Sequence, residues 1–132
     1  MEVQVTHLGK VRFNVQARNH SLICDQPAEN KGEDSGMTPP ELMLASLASC
    51  AGYYAVEYLK TRGLTETGVR VSVKADKLKG PARLGNFIVQ VRCPVALTEE
   101  QTLALTRSVE HCLIHNTLLN PPQITLEIEQ PE

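Results

Sequence analysis

Residues 38–62 read TPPELMLASLASCAGYYAVEYLKTR, and the fold turns on them. Thr38 followed three residues later by Glu41 has the pattern of a capping box. Pro39 falls at the first helical position, where its missing N–H would be unpaired anyway. At the other end, Lys60 and Arg62 suit the negative end of a helix dipole, and Gly63 is a natural terminator. The spacing therefore predicts one helix from Thr38 to about Arg62. Between Leu42 and Val56 it carries no charge on any face. A helix that is apolar all round is buried all round, and a small domain has trouble surrounding one this long. Two copies packed across a dimer interface would cover it. Ala45, Ser46, Ala48, Ser49, Ala51 and Gly52 would let the two backbones approach closely. A homodimer is the expectation.

Upstream, residues 2–24 carry short apolar alternations, cleanest in Val11-Arg12-Phe13-Asn14-Val15-Gln16-Ala17. With turns at Gly9-Lys10 and Asn19-His20 they predict a three-stranded antiparallel meander. Residues 25–37 are polar and contain Gly32 and Gly36, the composition of a mobile loop. Downstream, residues 69–75 and 86–93 alternate with period two around Gly80-Pro81 and Gly85, predicting a hairpin. Thr98 and Gln101 form a second capping box. It opens a helix carrying Leu103, Val109, Cys112 and Leu113 to about Thr117, ahead of Asn120-Pro121-Pro122. Ile124-Thr125-Leu126-Glu127-Ile128 reads as a last strand. The expected order is β-β-β-α-β-β-α-β, an α+β fold in a single domain spanning 1–132.

With no Trp, three Tyr and two Phe, the core must be aliphatic. The net charge is −2 and the basic residues are scattered, which argues against a nucleic-acid surface. Met1-Glu2-Val3-Gln4-Val5 does not start a signal peptide, and the uncharged run over 42–56 is short for a membrane span. A soluble, cytoplasmic protein without membrane or nucleic-acid partners is expected. There are four cysteines, Cys24, Cys50, Cys93 and Cys112, none in a Cys-x-x-Cys pair. A reducing compartment disfavours a disulfide framework. Composition leaves two readings open, buried thiols acting as small hydrophobes or reactive ones. His111 and His115 flank Cys112, yet no two ligands have the usual zinc-site spacing, so no metal is expected. Glycine-rich phosphate loops and nucleophile elbows are absent, and no cofactor is expected. Lys74, Lys77 and Lys79 read as a solvated hairpin.

The run from Thr38 to Cys50, with a Pro-Glu-Leu start, small residues and then a cysteine, resembles the helix signature of the OsmC/Ohr family. Cys112-Leu113-Ile114-His115-Asn116-Thr117-Leu118 resembles its second signature, and Asp25-Gln26-Pro27 and Gly36-Met37-Thr38-Pro39 look like its smaller OsmC-like branch. The resemblance covers essentially the whole chain. It implies an intertwined dimer with two long central helices. It also implies a thiol-dependent peroxidase in which Cys50 attacks a hydroperoxide and Cys112 resolves the sulfenic acid, with a lipoyl-type dithiol or another thiol as reductant. By position Glu41 matches the family's glutamate and Arg18 its arginine, which together activate the first cysteine. Tyr53 and Tyr54, one turn beyond Cys50, would suit an organic hydroperoxide. The competing reading is a non-enzymatic thiol protein on the same scaffold, sensing redox state or binding a small ligand.

Overall fold

In the computed structural model, which describes residues 1–132, the elements are β1 (Gln4–Gly9), β2 (Arg12–Ala17), β3 (His20–Cys24), α1 (Pro39–Thr61), β4 (Arg70–Leu78), β5 (Arg83–Arg92), α2 (Glu99–Glu110) and α3 (Leu113–Leu119). The fold is α+β, with a three-stranded sheet ordered β1-β2-β3 and a two-stranded sheet of β4 and β5. The chain forms two compact units. One holds residues 1–46 and 74–87, the other residues 47–73 and 88–132.

In the first unit the meander forms as its alternation predicts. Val5 pairs with Val15, Phe13 with Cys24 and Val15 with Leu22. Both turns lie one position from the expected ones, at Lys10-Val11 and Arg18-Asn19. Lys10 and Arg18 take the left-handed conformation there, at φ 48° and 53°. One face of the sheet, with Val5, Phe13, Val15 and Cys24, borders an apolar hollow of about 450 Å³ together with Pro39 and Leu42.

Helix α1 starts as the capping box requires. The Thr38 N–H donates to Glu41 Oε1 at 2.9 Å, and the Glu41 N–H donates back to Thr38 Oγ1 at 3.4 Å. Thr38→Ala removes the side-chain half of this exchange and is expected to cost about 1 kcal/mol. Urea unfolding monitored by circular dichroism reads this as a lower midpoint at unchanged slope.

In the second unit, the C-terminal half of α1 supplies the core. Ala55, Tyr58 and Leu59 meet Leu105 of α2, with Leu64, Val69, Val91, Cys93, Leu97 and Val109 packed around them. Over its most apolar window α1 has a mean hydropathy of 1.2, and by length and composition alone it could cross a membrane.

Two expectations are corrected here. The helix expected from Thr98 to about Thr117 is two helices. Helix α2 opens on the Thr98/Gln101 capping box as expected, with the Gln101 N–H donating to Thr98 Oγ1 at 3.1 Å. It closes at His111, and Cys112, at ψ 130°, leaves the helical region and caps α3. The expected last strand, residues 124–128, is not a strand. It pairs with no neighbour, and Ile124, Leu126 and Ile128 stand exposed. Its alternation fits one face of a sheet, yet it joins neither the β1-β2-β3 sheet nor the β4-β5 sheet.

Candidate functional site

Cys50 lies in α1 one turn before Tyr53 and Tyr54. Their rings meet edge-on at 5.2 Å between centroids, and Tyr53 is 62% exposed. Cys50 itself is half-buried. Cys112 is fully buried, at 0% exposure, and all four cysteines are free thiols. The break between α2 and α3 fixes its position. The Cys112 N–H donates to the Val109 carbonyl at 3.0 Å, and its sulfur accepts the His115 N–H at 3.4 Å. The two thiols, 62 positions apart in the chain, are brought close enough to interact, and both belong to the second unit.

Their electrostatics differ. Burial pushes the Cys112 thiol up from its ordinary pKa, and the neighbouring Cys50 thiol adds to this. The backbone N–H groups of His115 and Ile114 oppose the rise without cancelling it. Cys112 is thus the partner held protonated. Cys50 is the more open of the two and stands beside the aromatic pair.

Glu41 and Arg18 belong to the first unit. Glu41 is exposed and fills the N3 capping position. Its Oε1 accepts from both the Thr38 N–H and the Thr38 hydroxyl at 2.9 Å, and these bonds hold its carboxyl below the usual range. Arg18 is exposed at the β2–β3 turn and joins no ion pair, because the chain's ion pairs are Lys10 and Arg12 with Glu33. No three His, Cys, Asp or Glu side chains converge as a metal-ligand set. Cys24 is buried against the first sheet. Cys93 belongs to the second unit's core, where burial raises its pKa.

Sequence reasoning missed Asp25. The segment read as a mobile loop is organised around this carboxylate, which is 1% exposed. Asp25 Oδ1 accepts the Gln26 N–H at 2.8 Å. Oδ2 accepts the Glu33 and Ser35 N–H groups at 3.2 and 3.1 Å and the Ser35 hydroxyl at 2.6 Å. The Asp25 N–H donates to the Met37 carbonyl at 3.2 Å, closing the loop just before Thr38. Glycine is required at two points. A Cβ on Gly32 would collide with the Gln26 carbonyl, and one on Gly36 with that of Ile23. Lys10 ties Glu33 to the β1–β2 turn at 2.9 Å. In the sequence Asp25 stood out only within the family-like Asp25-Gln26-Pro27 stretch, with no hint of its role, since its other partners, Glu33 and Ser35, lie eight to ten residues away.

The Ser35 hydroxyl, followed by the backbone donors, lowers the Asp25 pKa from 3.8 to about 2. A carboxyl depressed in the folded state contributes stability that is complete above its ordinary pKa and lost as pH falls through the folded one. Asp25→Asn is therefore expected to melt below wild type at pH 5 and above, with the gap closing between about pH 4 and 2. Melting temperatures of both proteins across that range test this, and a gap independent of pH would refute it.

A profile of the family described as "OsmC-like protein" matches residues 32–127. No sequence among curated proteins matches. Among solved structures, a Psychrobacter arcticus protein provisionally named for osmotic stress induction and detoxification response aligns at a TM-score of 0.80. The two are 20% identical, over 87% of this chain and 85% of that one. An OsmC-like protein of Mycoplasma pneumoniae aligns at 0.73, with 16% identity over 91% and 87%. The organic hydroperoxide resistance protein OsmC of Legionella pneumophila aligns at 0.66, with 18% identity over 89% of each chain. At these identities the likeness is one of fold.

Proposed function

The chain belongs to the OsmC-like protein family, and from that premise we propose that it is a thiol-dependent peroxidase acting on organic hydroperoxides. The observation that carries the reading is the approach of the Cys50 and Cys112 thiols, one half-open and one buried and held protonated. Cys50, as thiolate, attacks the terminal peroxide oxygen. The O–O bond breaks, the alkoxide takes a proton and leaves as alcohol, and Cys50 becomes a sulfenic acid. The Cys112 sulfur attacks that sulfenic sulfur, water leaves, and a disulfide forms before a second peroxide can over-oxidise Cys50. Two exchange steps with an external dithiol of the lipoyl type restore both thiols and oxidise the dithiol to its disulfide.

Arg18 and Glu41 enter as the cation that favours the Cys50 thiolate and the carboxylate that orients that cation. Two features support these roles. The Thr38-to-Cys50 run resembles the family's helix signature, and the Thr38 bonds keep the Glu41 carboxyl ionised, as pairing with a cation needs. Dimerisation belongs to the same reading. Met43 and Tyr53 on α1 are exposed in the single chain, and a second copy would cover that helix. A cytoplasmic location would supply the reductant and keep the resting thiols reduced.

The test is NADH consumption coupled through lipoamide dehydrogenase and lipoamide, with tert-butyl or cumene hydroperoxide as substrate. Turnover above the protein-free blank supports the proposal. Thiols that titrate normally with no turnover refute it and favour a non-enzymatic thiol protein on this fold.

A further inference from the structure

Outside the thiol pair, one feature of the second unit has no role in the proposed chemistry. It is the solvent face of the β4–β5 hairpin at its open end. The short connection between the strands makes them antiparallel. Two side-chain bonds across them fix the register. The Ser72 hydroxyl donates to Gln90 Oε1 at 3.4 Å, and Asn86 Nδ2 donates to Asp76 Oδ2 at 3.0 Å. The same register, extended two residues beyond Ser72 and Gln90, sets Arg70 directly opposite Arg92. Both arginines are exposed and lie on one face with Ser72 and Gln90.

Like charges directly opposite on a sheet destabilise it, since their Cβ atoms stand only about 5 Å apart. A carboxylate neighbour would relieve the pair, yet neither guanidinium has one. Arg70, Ser72, Gln90 and Arg92 instead line an open hollow of about 640 Å³. That size is within the range of small-molecule sites. Gln90 spends its oxygen on Ser72, which leaves its amide N–H groups as further donors beside the guanidinium forks.

We propose that Arg70 and Arg92 clamp the phosphate of a small phosphate monoester, with Gln90 as a third donor and the organic part lying in the hollow. Two guanidiniums balance a dianion, and their planar forks match several oxygens at once. A phosphate monoester carries nearly two charges at pH 7 and a tetrahedral set of acceptors, whereas a monocarboxylate offers one charge and two oxygens.

The experiment is an amide-resolved NMR titration of the full chain with phenyl phosphate at constant ionic strength, with benzoate as control. Saturable shifts confined to residues 70–72 and 90–92 are expected, weakening as pH falls through about 6, where the dianion takes up a proton and becomes a monoanion. Arg70→Gln and Arg92→Gln are each expected to weaken binding about tenfold or more, as loss of one charge-assisted pair does. In anion-free buffer each variant is expected to melt no lower than wild type, since the like-charge contact is gone. Phenyl phosphate should then raise the wild-type melting temperature and leave the double variant unchanged. Absence of saturation, shifts that persist in the double variant, or benzoate binding equally well would each overturn the proposal. Because the readout is binding and not peroxide turnover, its failure leaves the thiol chemistry untouched.

Discussion

Replacing Cys50 by serine is expected to bring hydroperoxide turnover down to the protein-free rate, a loss on the order of 10³-fold or more, as removal of a nucleophile causes elsewhere. A serine hydroxyl is far too weak an acid to supply the ionised nucleophile near neutral pH. Cys112→Ser is expected to behave differently. The first peroxide is still consumed, one equivalent per chain, because attack needs only Cys50. The sulfenic acid then has no partner thiol, and a second equivalent of peroxide takes it on to sulfinic acid, seen by mass spectrometry as a gain of two oxygens that dithiols do not reverse. Stopped-flow burst amplitude and intact mass together separate the roles. If Cys112→Ser turned over like wild type, Cys112 would not be the resolving thiol. If Cys50→Ser kept its activity, the assignment of the nucleophile would be wrong.

Leu59→Ala is expected to be the costliest single truncation in the second unit. Leu59 is 0% exposed and stands in the cluster with Ala55, Tyr58 and Leu105. Removing a fully buried leucine side chain costs about 3 kcal/mol in transfer and residual cavity. For a chain of this length that lowers the melting temperature by roughly 10 °C. Leu103→Ala on α2 is the control. Leu103 is 59% exposed, and its loss is expected to stay within about 0.5 kcal/mol. Parallel thermal melts decide the matter, and equal losses for the two variants would contradict the assigned core.

That pair of leucines also marks the limit of what sequence could convey. Both capping boxes and the starts of both long helices were legible, because a cap is a contact over three residues. The meander and the hairpin were legible because period two is a local property. The buried face of α2 was legible only in part, since Val109 packs on the core as its spacing suggests while Leu105, the buried residue of α2, was not singled out. Leu103 and Leu113 fit a helical stripe, but both are exposed. The break at His111-Cys112, which has neither Gly nor Pro, rotates Leu113 onto a separate helix. The alternation at 124–128 specifies two faces but names no partner strand. The meeting of Cys50 with Cys112 had no local signal, and only the family likeness pointed to it. The organising role of Asp25 was invisible for the same reason, since it lies in donors eight to ten residues ahead.

The two glycine-containing loops looked alike as sequence, and the structure makes them opposite choices for protein engineering. Around Gly80, at the tip of the β4–β5 hairpin, an added Cβ would meet nothing within 4 Å. Gly80 itself keeps a left-handed φ of 71°, so an epitope or a fluorophore site belongs beside it, at exposed Ala82, where it displaces only solvent. The loop over 25–37 has no such slack. Its backbone passes against Gln26 and Ile23 too closely for any side chain at Gly32 or Gly36, and a single carboxylate gathers its N–H groups. An insertion there would pull donors away from Asp25 and shift the residue that starts α1. Label chemistry and library design therefore belong at the hairpin tip, and the loop before α1 should be left as it stands.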